Sequence, residues 1–312
     1  MDEEFVELKE YAVRYAAIDI GSNAARLLIK QLEDEDEPRF SRVLLFRFPL
    51  RLGSEVFSSG YISQRKEKTL VRLMKSFRLL MKVYEVSDYR ACATSAMRDA
   101  ANRHDVIRRV QKKTGVKIEI IDGQEEARLI YNNHIEYMKD RRGNYMYVDV
   151  GGGSTEINLL AEGELVCSRS YNIGTVRILN NAVSESEWQR LRNDMKDLAL
   201  SYPNINLIGS GGNITKLFKL VRKGRSLRSQ KMGVEALREL YDKLNSMTVA
   251  QRMKEYSLKA DRADVIVPAG EIFLTIFNLI GASSIYVPDI GLADGIIDGL
   301  YSKHLEEGLD EA

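Results

Sequence analysis

The chain has 312 residues, enough for two ordinary domains, and its 46 Lys plus Arg nearly cancel its 45 Asp plus Glu, for a formal charge of +1. That balance, with 44% hydrophobic and 29% charged residues, excludes a chain that is basic throughout, such as a bulk nucleic-acid coat. The total hides an asymmetry: segments 1–10, 33–37 and 306–311 hold 14 acidic residues against one Lys, which leaves +14 on the remainder. An anion is therefore the expected ligand of the folded body.

Cys92 and Cys167 stand 75 positions apart with no CxxC spacing, which predicts two reduced, unpaired thiols in a cytoplasmic protein. The acidic N-terminus has no apolar core and predicts no signal peptide. The most apolar late stretch, Ile272–Ile280, is nine residues long, too short to span a bilayer, so no membrane partner is expected.

In chain order, Tyr15–Ile20 and Arg26–Lys30 read as two strands joined by a Gly-containing turn. Acidic residues 33–37 and Pro38 read as a solvated turn, and Ser41–Leu50 as a strand. Apolar residues from Leu70 to Met81 recur at helical spacing, with Ser63 as N-cap. Strand Tyr89–Ala93 leads into Thr94-Ser95, expected to cap the next helix. Helix Val106–Lys113, strand Val116–Ile121 and helix Gln124–Tyr137 follow. Strands Tyr145–Val150, Glu156–Leu160 and Glu164–Ser170 form a meander, with helices near 174–181 and 184–200. Ile205–Ile208 is a short strand before helix Ile214–Val221, and further helices are expected near 233–246 and 248–255. Helix Ala263–Ile280, strand Ser284–Val287 and helix Gly295–Glu307 close the chain. The alternation of strands and helices indicates an α/β architecture.

Two segments echo one another. Ala17-Ile18-Asp19-Ile20-Gly21-Ser22 matches Tyr147-Val148-Asp149-Val150-Gly151 followed by Gly153-Ser154. Each is a strand ending in Asp, a Gly turn with a hydroxyl, then a second strand. Two copies suggest two related domains facing one another across a cleft.

These turns also carry chemistry. Gly-rich backbone lets phosphate oxygens approach several N–H groups, and Ser22, Ser154 and Thr155 add hydroxyls. An Asp beside phosphates points to a bridging divalent cation such as Mg²⁺. Taken singly, each turn reads as an ordinary hairpin turn; two matching turns together with a third Gly cluster point to phosphate binding. A third cluster, Gly209-Ser210-Gly211-Gly212-Asn213, runs from a strand into a helix, whose N-terminus favours anions. It fits no dinucleotide fingerprint, and no GxxxxGK[ST] occurs, which argues against Rossmann and P-loop enzymes.

Glu125 and Glu126 open a helix about 100° apart, so at most one faces a given site. A Glu beside bound polyphosphate would have a raised pKa, which suits a general base; the alternative is helix-dipole complementation. Arg98, at a helix start after Thr94-Ser95, could stabilise a transferring phosphoryl group or form a surface ion pair. Lys216–Lys231 contains seven basic residues and no acid, and Arg65–Lys82 contains seven against Glu67 alone. The first tract begins at the third Gly turn, so a long polyanion is expected there. Few aromatics interleave with these charges, which disfavours nucleic acid.

Together, AAIDIGSNAARLLI, ATSAMRDA, IEIIDGQEEARLIY, VDVGGGSTEI, IGTVR, GSGGNITKL and DVIVPAGEIF resemble the exopolyphosphatase / guanosine pentaphosphate phosphohydrolase family, over about Tyr15 to Leu300. The resemblance implies two actin-like (ribonuclease H-like) domains across a cleft. The first would span 1–123, completed by the C-terminal helix 297–312, and the second 124–296. It implies Glu126 as general base, Asp149 and Glu156 as Mg²⁺ ligands with Asp19 facing the same site, and Arg98 as a phosphate contact. Gly21, Ser22 and Asn23, with Gly151, Gly152, Gly153, Ser154 and Thr155, would cradle phosphate. Gly211, Gly212, Asn213 and Lys216 of the third turn would extend that cradle.

Departures from the family pattern occur at Ala24-Ala25-Arg26, at Gly212-Asn213-Ile214 and at Gly291–Gly295. The chain is also short beside relatives that carry further helical domains. The expected activity is release of terminal orthophosphate from inorganic polyphosphate. Guanosine pentaphosphate hydrolysis is the alternative, and an actin-like kinase or ATP-driven switch is the alternative of another class. A second copy of the chain is an expected partner that would lengthen the phosphate groove.

Overall fold

A computed structural model describes residues 13–34, 39–132, 142–222, 230–288 and 291–310. Strands β1 (Arg14–Ile20), β2 (Ala25–Asp34), β3 (Arg39–Phe48), β4 (Asp88–Ala93) and β5 (Ile118–Ile120) form a first sheet in the order β3-β2-β1-β4-β5. Strands β6 (Tyr145–Val150), β7 (Thr155–Ala161), β8 (Glu164–Tyr171), β9 (Asn206–Ser210), β10 (Lys231–Gly233) and β11 (Ser284–Tyr286) form a second, ordered β10-β11-β9-β6-β7-β8.

The sheets repeat one plan. In each, a three-stranded antiparallel meander (β1-β2-β3, β6-β7-β8) is extended by strands parallel to its first (β4 and β5, β9 and β11). The equivalence reaches the turns: Gly21 N donates to Ala24 O at 3.0 Å, and Gly151 N to Ser154 O at 2.9 Å. It reaches the register too, with Asp19 opposite Arg26 and Asp149 opposite Glu156. The internal echo in the sequence is thus a repeated tertiary unit.

Each sheet has its own core, because the apolar residues of its strands find helices to cover them. Helices α1 (Gly53–Ser59), α2 (Gln64–Val83), α3 (Ser95–Asp99) and α4 (Arg103–Thr114) bury Val56, Leu70, Met74, Phe77, Met97 and Val106 with Ile18, Leu27 and Ile29 of the first sheet. Ser63 caps α2 as expected, accepting from Lys66 N at 3.2 Å. Thr94 occupies the N-cap position of α3 but makes no side-chain cap there, and the Ser95 hydroxyl bonds Ser22 instead.

The second sheet is covered by α6 (Thr175–Leu179), α7 (Glu185–Ser201), α8 (Gly211–Arg222), α9 (Val234–Asn245) and α12 (Ile266–Ile280), preceded by α10 (Val249–Tyr256) and α11 (Ala260–Ala263). The run Ala260–Ile280 is longer and more apolar than the nine residues singled out in the sequence, at 21 residues and mean hydropathy 1.7. By length and composition it could cross a bilayer, yet Ile266, Ala269, Ile272, Phe273, Ile276 and Phe277 all lie in the core of the second sheet.

The opposite face of the first sheet is covered by α13 (Leu292–Asp310) and α5 (Gly123–Asn132). Leu292, Ile296 and Ile297 meet Tyr15, Ala17 and Leu28, and Leu129 and Ile130 of α5 join them. Asn158 on β7 also donates to Ala127 O at 2.7 Å, so α5 touches both sheets. That places its first turn, with Glu126, between them.

The predicted helix over 124–137 runs beyond Asn132 into residues outside the described ones, as do residues 35–38 of the acidic turn and Lys223, Arg225 and Arg228 of the basic tract. Cys92 and Cys167 are free thiols, the first buried.

Candidate active site

A cleft of about 340 Å³, in the size range of small-molecule sites, is lined from both sheets. Gly21, Ser22, Asn23, Gly151, Gly152, Ser154, Gly211, Gly212, Asn213 and Lys216 line it, and so do Asp19, Glu126 and Asp149. Three Gly turns, starting at Gly21, Gly151 and Gly211, therefore meet at one place.

Gly153 and Thr155 depart from the expected cradle. Gly153 packs against Gly174 and its carbonyl accepts from Arg177 Nε at 2.8 Å. The Thr155 hydroxyl is buried and donates to Ile173 O at 2.6 Å. Both residues hold the turn in shape, and neither lines the cleft. Ser22 Oγ lies 2.8 Å from Ser95 Oγ and accepts from Ala96 N at 3.2 Å, which pins the first turn to α3.

Four carboxylates act on one another here: Asp19, Glu126 and the partly buried Asp149 line the cleft, and the buried Glu156 does not. Glu126 sits in the first turn of α5, and its Oε2 is buried without a hydrogen-bond partner. Burial, then Glu156, Asp149 and Asp19, raise its pKa well above the ordinary range against the pull of Arg98. Glu156 is pushed up to about 7 by burial and Asp149, opposed by hydrogen bonds from Ser154 and Ser170. Asp149 is raised by burial and Asp19, opposed by Ser210, which donates at 2.8 Å, and by Arg26. Gly211 has φ +84, and a Cβ there would lie 2.7 Å from Asp149 Oδ1. Only glycine gives this turn both its left-handed backbone and room for the carboxylate.

The expected trio of metal ligands is not gathered. Among the described residues no group of three or more His, Cys, Asp or Glu is placed to hold a metal ion. Asp19 is ion-paired to Arg26 across the β1–β2 ladder, and that pair, working against burial, holds the Arg26 guanidinium above its ordinary pKa. Asp149 and Glu156 remain as a directly opposed pair on one face of β6–β7. Two raised carboxylates beside an unpartnered Glu126 oxygen fit a hard divalent cation, because Mg²⁺ takes one or two carboxylates and completes its shell with water and phosphate oxygens.

Arg98 also departs from its expected place. It does not line the cleft; its Nη1 donates to Ile121 O at 2.9 Å, and its charge acts on Glu126 and Glu156 from behind. Four arginines not assigned to the site in the sequence do line it: Arg26, Arg42, Arg47 and Arg262. The place of Arg26 was readable, since a four-residue turn after Ile20 fixes the register that sets it opposite Asp19. Arg47 and Arg262 carried no local signal, because their approach depends on packing between the sheets.

A model of the Ppx/GppA phosphatase family matches residues 31–304. The chain belongs to that family. Among its relatives, a bifunctional 3-dehydroquinate synthase/phosphatase of Fusobacterium nucleatum is 28% identical over 92% of this chain, which spans only 47% of that protein. Exopolyphosphatase 1 of Mycobacterium tuberculosis is 25% identical over 91% of this chain and 87% of its own length. The crystal structure of the Aquifex aeolicus Ppx/GppA family member superposes with a TM-score of 0.74 at 27% identity, covering 95% of this chain and 98% of that one. An exopolyphosphatase from Cytophaga hutchinsonii shares the fold, with a TM-score of 0.81 at 22% identity over 92% of this chain and 98% of that one. Family membership places the chain among the Ppx/GppA phosphatases.

Proposed function

We propose that the protein is an exopolyphosphatase, releasing terminal orthophosphate from inorganic polyphosphate. The observation that carries the reading is Glu126, a buried carboxylate with an unpartnered oxygen, at a cleft walled by three Gly turns. In this reading a water oxygen bonds to the terminal phosphorus and the bridging P–O bond breaks, its electron pair staying with the shortened chain. Glu126 takes the water's proton, a role its raised pKa suits. Backbone N–H groups around Gly21–Asn23, Gly151–Gly152 and Gly211–Gly212 bind the phosphate oxygens. Asp149 and Glu156 would hold Mg²⁺, which supplies neutralisation of phosphate charge when bound. Arg98 limits the mutual repulsion of the acids and so positions Glu126.

The two sheets, each with its own core, support reading the chain as two actin-like domains, 1–123 with 297–312 and 124–296, across the cleft. Lys216 and Lys219 line that cleft and support a polyanionic ligand, with nucleic acid and membrane set aside as partners. A cytoplasmic location and a homodimer that lengthens the groove complete the proposal.

Purified protein with Mg²⁺, given medium-chain polyphosphate, guanosine pentaphosphate and ATP in parallel, tests it by phosphate release. Polyphosphate should be the preferred substrate. Cleavage of the guanosine nucleotide with polyphosphate inert would transfer the assignment to guanosine pentaphosphate hydrolysis, and turnover of ATP alone would favour an ATP-driven switch.

A further inference from the structure

Every residue of β7 is buried, yet between Ile157 and Leu159 the strand carries an amide, Asn158. The repeated fold does not itself require one. Two residues on from Arg26 and Glu156, which occupy matching places in the two hairpins, stand Leu28 and Asn158. Leu28 packs among Leu292, Ile296 and Ile297 of α13, so an apolar contact serves the first sheet. Asn158 instead donates from Nδ2 to Ala127 O of α5 at 2.7 Å. Its Oδ1 is buried and has no hydrogen-bond partner. A buried amide that leaves its oxygen unpaired stabilises a fold less than an apolar side chain would, so packing alone does not account for Asn158.

What Asn158 holds is the turn that carries Glu126. Ala127 follows that residue and Glu125 precedes it, and each is gripped from a different sheet. Arg90 of β4 donates from Nη2 to Glu125 at 2.6 Å and from Nε to Glu119 at 3.0 Å. Asp122 Oδ1 accepts from Glu125 N at 2.8 Å and closes the start of the helix. On the other side, a Cβ on Gly123 would lie 2.5 Å from Ser170 Oγ, so α5 begins against β8. The first sheet thus holds Glu125 by its side chain, and the second holds Ala127 by its backbone. Glu126 Oε2 has no hydrogen-bond partner, so the carboxylate is aimed by its two neighbours and not by a bond at that oxygen.

We propose that Asn158 is a positioning residue for Glu126. With Arg90 opposite, it clamps the first turn of α5 between the two sheets and sets where the carboxylate meets the attacking water. The part played by Glu126 rests on the hydrolase reading; the hold on the turn does not, and it can be measured without turnover. A reacting group displaced by about 1 Å loses about a hundredfold in rate even when substrate is bound as before.

The test uses the full chain with Asn158→Leu, which copies the side chain of the first hairpin, and Asn158→Ser, which withdraws the amide without adding volume. Arg90→Gln releases the opposite grip. KM and kcat are measured on tripolyphosphate and guanosine pentaphosphate with Mg²⁺, and Asn158→Leu is also combined with Glu126→Gln. Calorimetric binding of tripolyphosphate is measured in the Glu126→Gln background with and without Asn158→Leu. Hydrogen exchange follows the amides of Glu125–Arg128 in every protein.

Asn158→Leu should lower kcat by about tenfold to a hundredfold, with KM and Kd within about threefold of their references. Arg90→Gln should act in the same direction and less strongly, because its ion pairs are partly exposed. In the Glu126→Gln background Asn158→Leu should change the residual rate by less than about threefold, since a residue that acts through Glu126 has nothing left to aim. Exchange at the first turn of α5 should quicken in each single variant.

Wild-type kcat in Asn158→Leu would overturn the clamp, and so would a loss in the double variant that multiplies in full, the sign of general loosening. If Asn158→Leu fails to fold, Asn158→Ser is held to the same outcomes. A wild-type protein that turns over neither substrate would overturn the hydrolase reading. Exchange then decides the clamp alone: quickened exchange in the variants keeps it, and unchanged exchange overturns it.

Discussion

Asp149 and Glu156 face each other directly across the β6–β7 ladder, and each takes a hydrogen bond from a serine hydroxyl, Ser210 at 2.8 Å and Ser170 at 3.0 Å. Two acids at directly opposed ladder positions, shielded from water, repel unless a cation or a proton joins them. Addition of Mg²⁺ should therefore raise the melting temperature of chelated protein, and Asp149→Asn or Glu156→Gln should remove most of that increase. Scanning calorimetry with and without the metal reads this directly. An unchanged Mg²⁺ response in both variants would place the ion elsewhere.

Glu126→Gln should cut phosphate release by about a hundredfold to ten-thousandfold, the usual worth of a general base. The variant should bind tripolyphosphate at least as tightly as wild type, because it removes a negative charge from the cleft. Steady-state kinetics and calorimetry on the same preparation separate the two effects. Full turnover in the variant would exclude Glu126 as the base.

Stability should depend on pH through the same acids. A carboxylate raised in the folded state keeps a proton that the unfolded chain has released, so stability falls as pH rises. The contribution of Glu156 is complete below its ordinary value of 4.5 and is lost as pH climbs through about 7. Glu126 and Asp149 act in the same direction. Chelated protein melted across this range should lose stability toward neutral pH, and Glu156→Gln should flatten the slope. Parallel curves for the two proteins would count against the raised acid.

Gly174→Ala should be among the most damaging single changes. A Cβ there would meet the Gly153 backbone and lie 2.5 Å from Ser154 N, and backbone cannot yield as a flexible side chain can. A loss of about 2–4 kcal/mol of stability is expected, in line with overpacked cores, together with a displaced Gly151–Ser154 turn. Chemical denaturation measures the first, and KM for polyphosphate the second.

Much of this was legible in the sequence. Strand periodicity, the repeated Asp-Gly turns and the N-cap at Ser63 gave nearly every element, because they are local signals. Helix α1 and strand β10 were missed, being short and without periodicity. Glu126 and Asp149 line the cleft, since the motifs around them fix both strand end and helix start. Gly153, Thr155 and Arg98 were turned to structural use by neighbours distant in the chain: Arg177, Ile173 and Ile121. Arg47 and Arg262 could not be found, because the place of Arg47 depends on Asp261 across the cleft and that of Arg262 on Asn213, 49 positions earlier in the chain.

The matched register of the two hairpins has a consequence for direction. In a duplicated unit with the same residue at both positions, the two halves of the cleft would be equivalent and a ligand could lie either way. Here the residue opposite the aspartate is Arg26 in one half and Glu156 in the other. That single difference of sign gives the cleft a head and a tail. On the proposed function, a chain of uniform charge, which has no polarity of its own, would acquire one on entering.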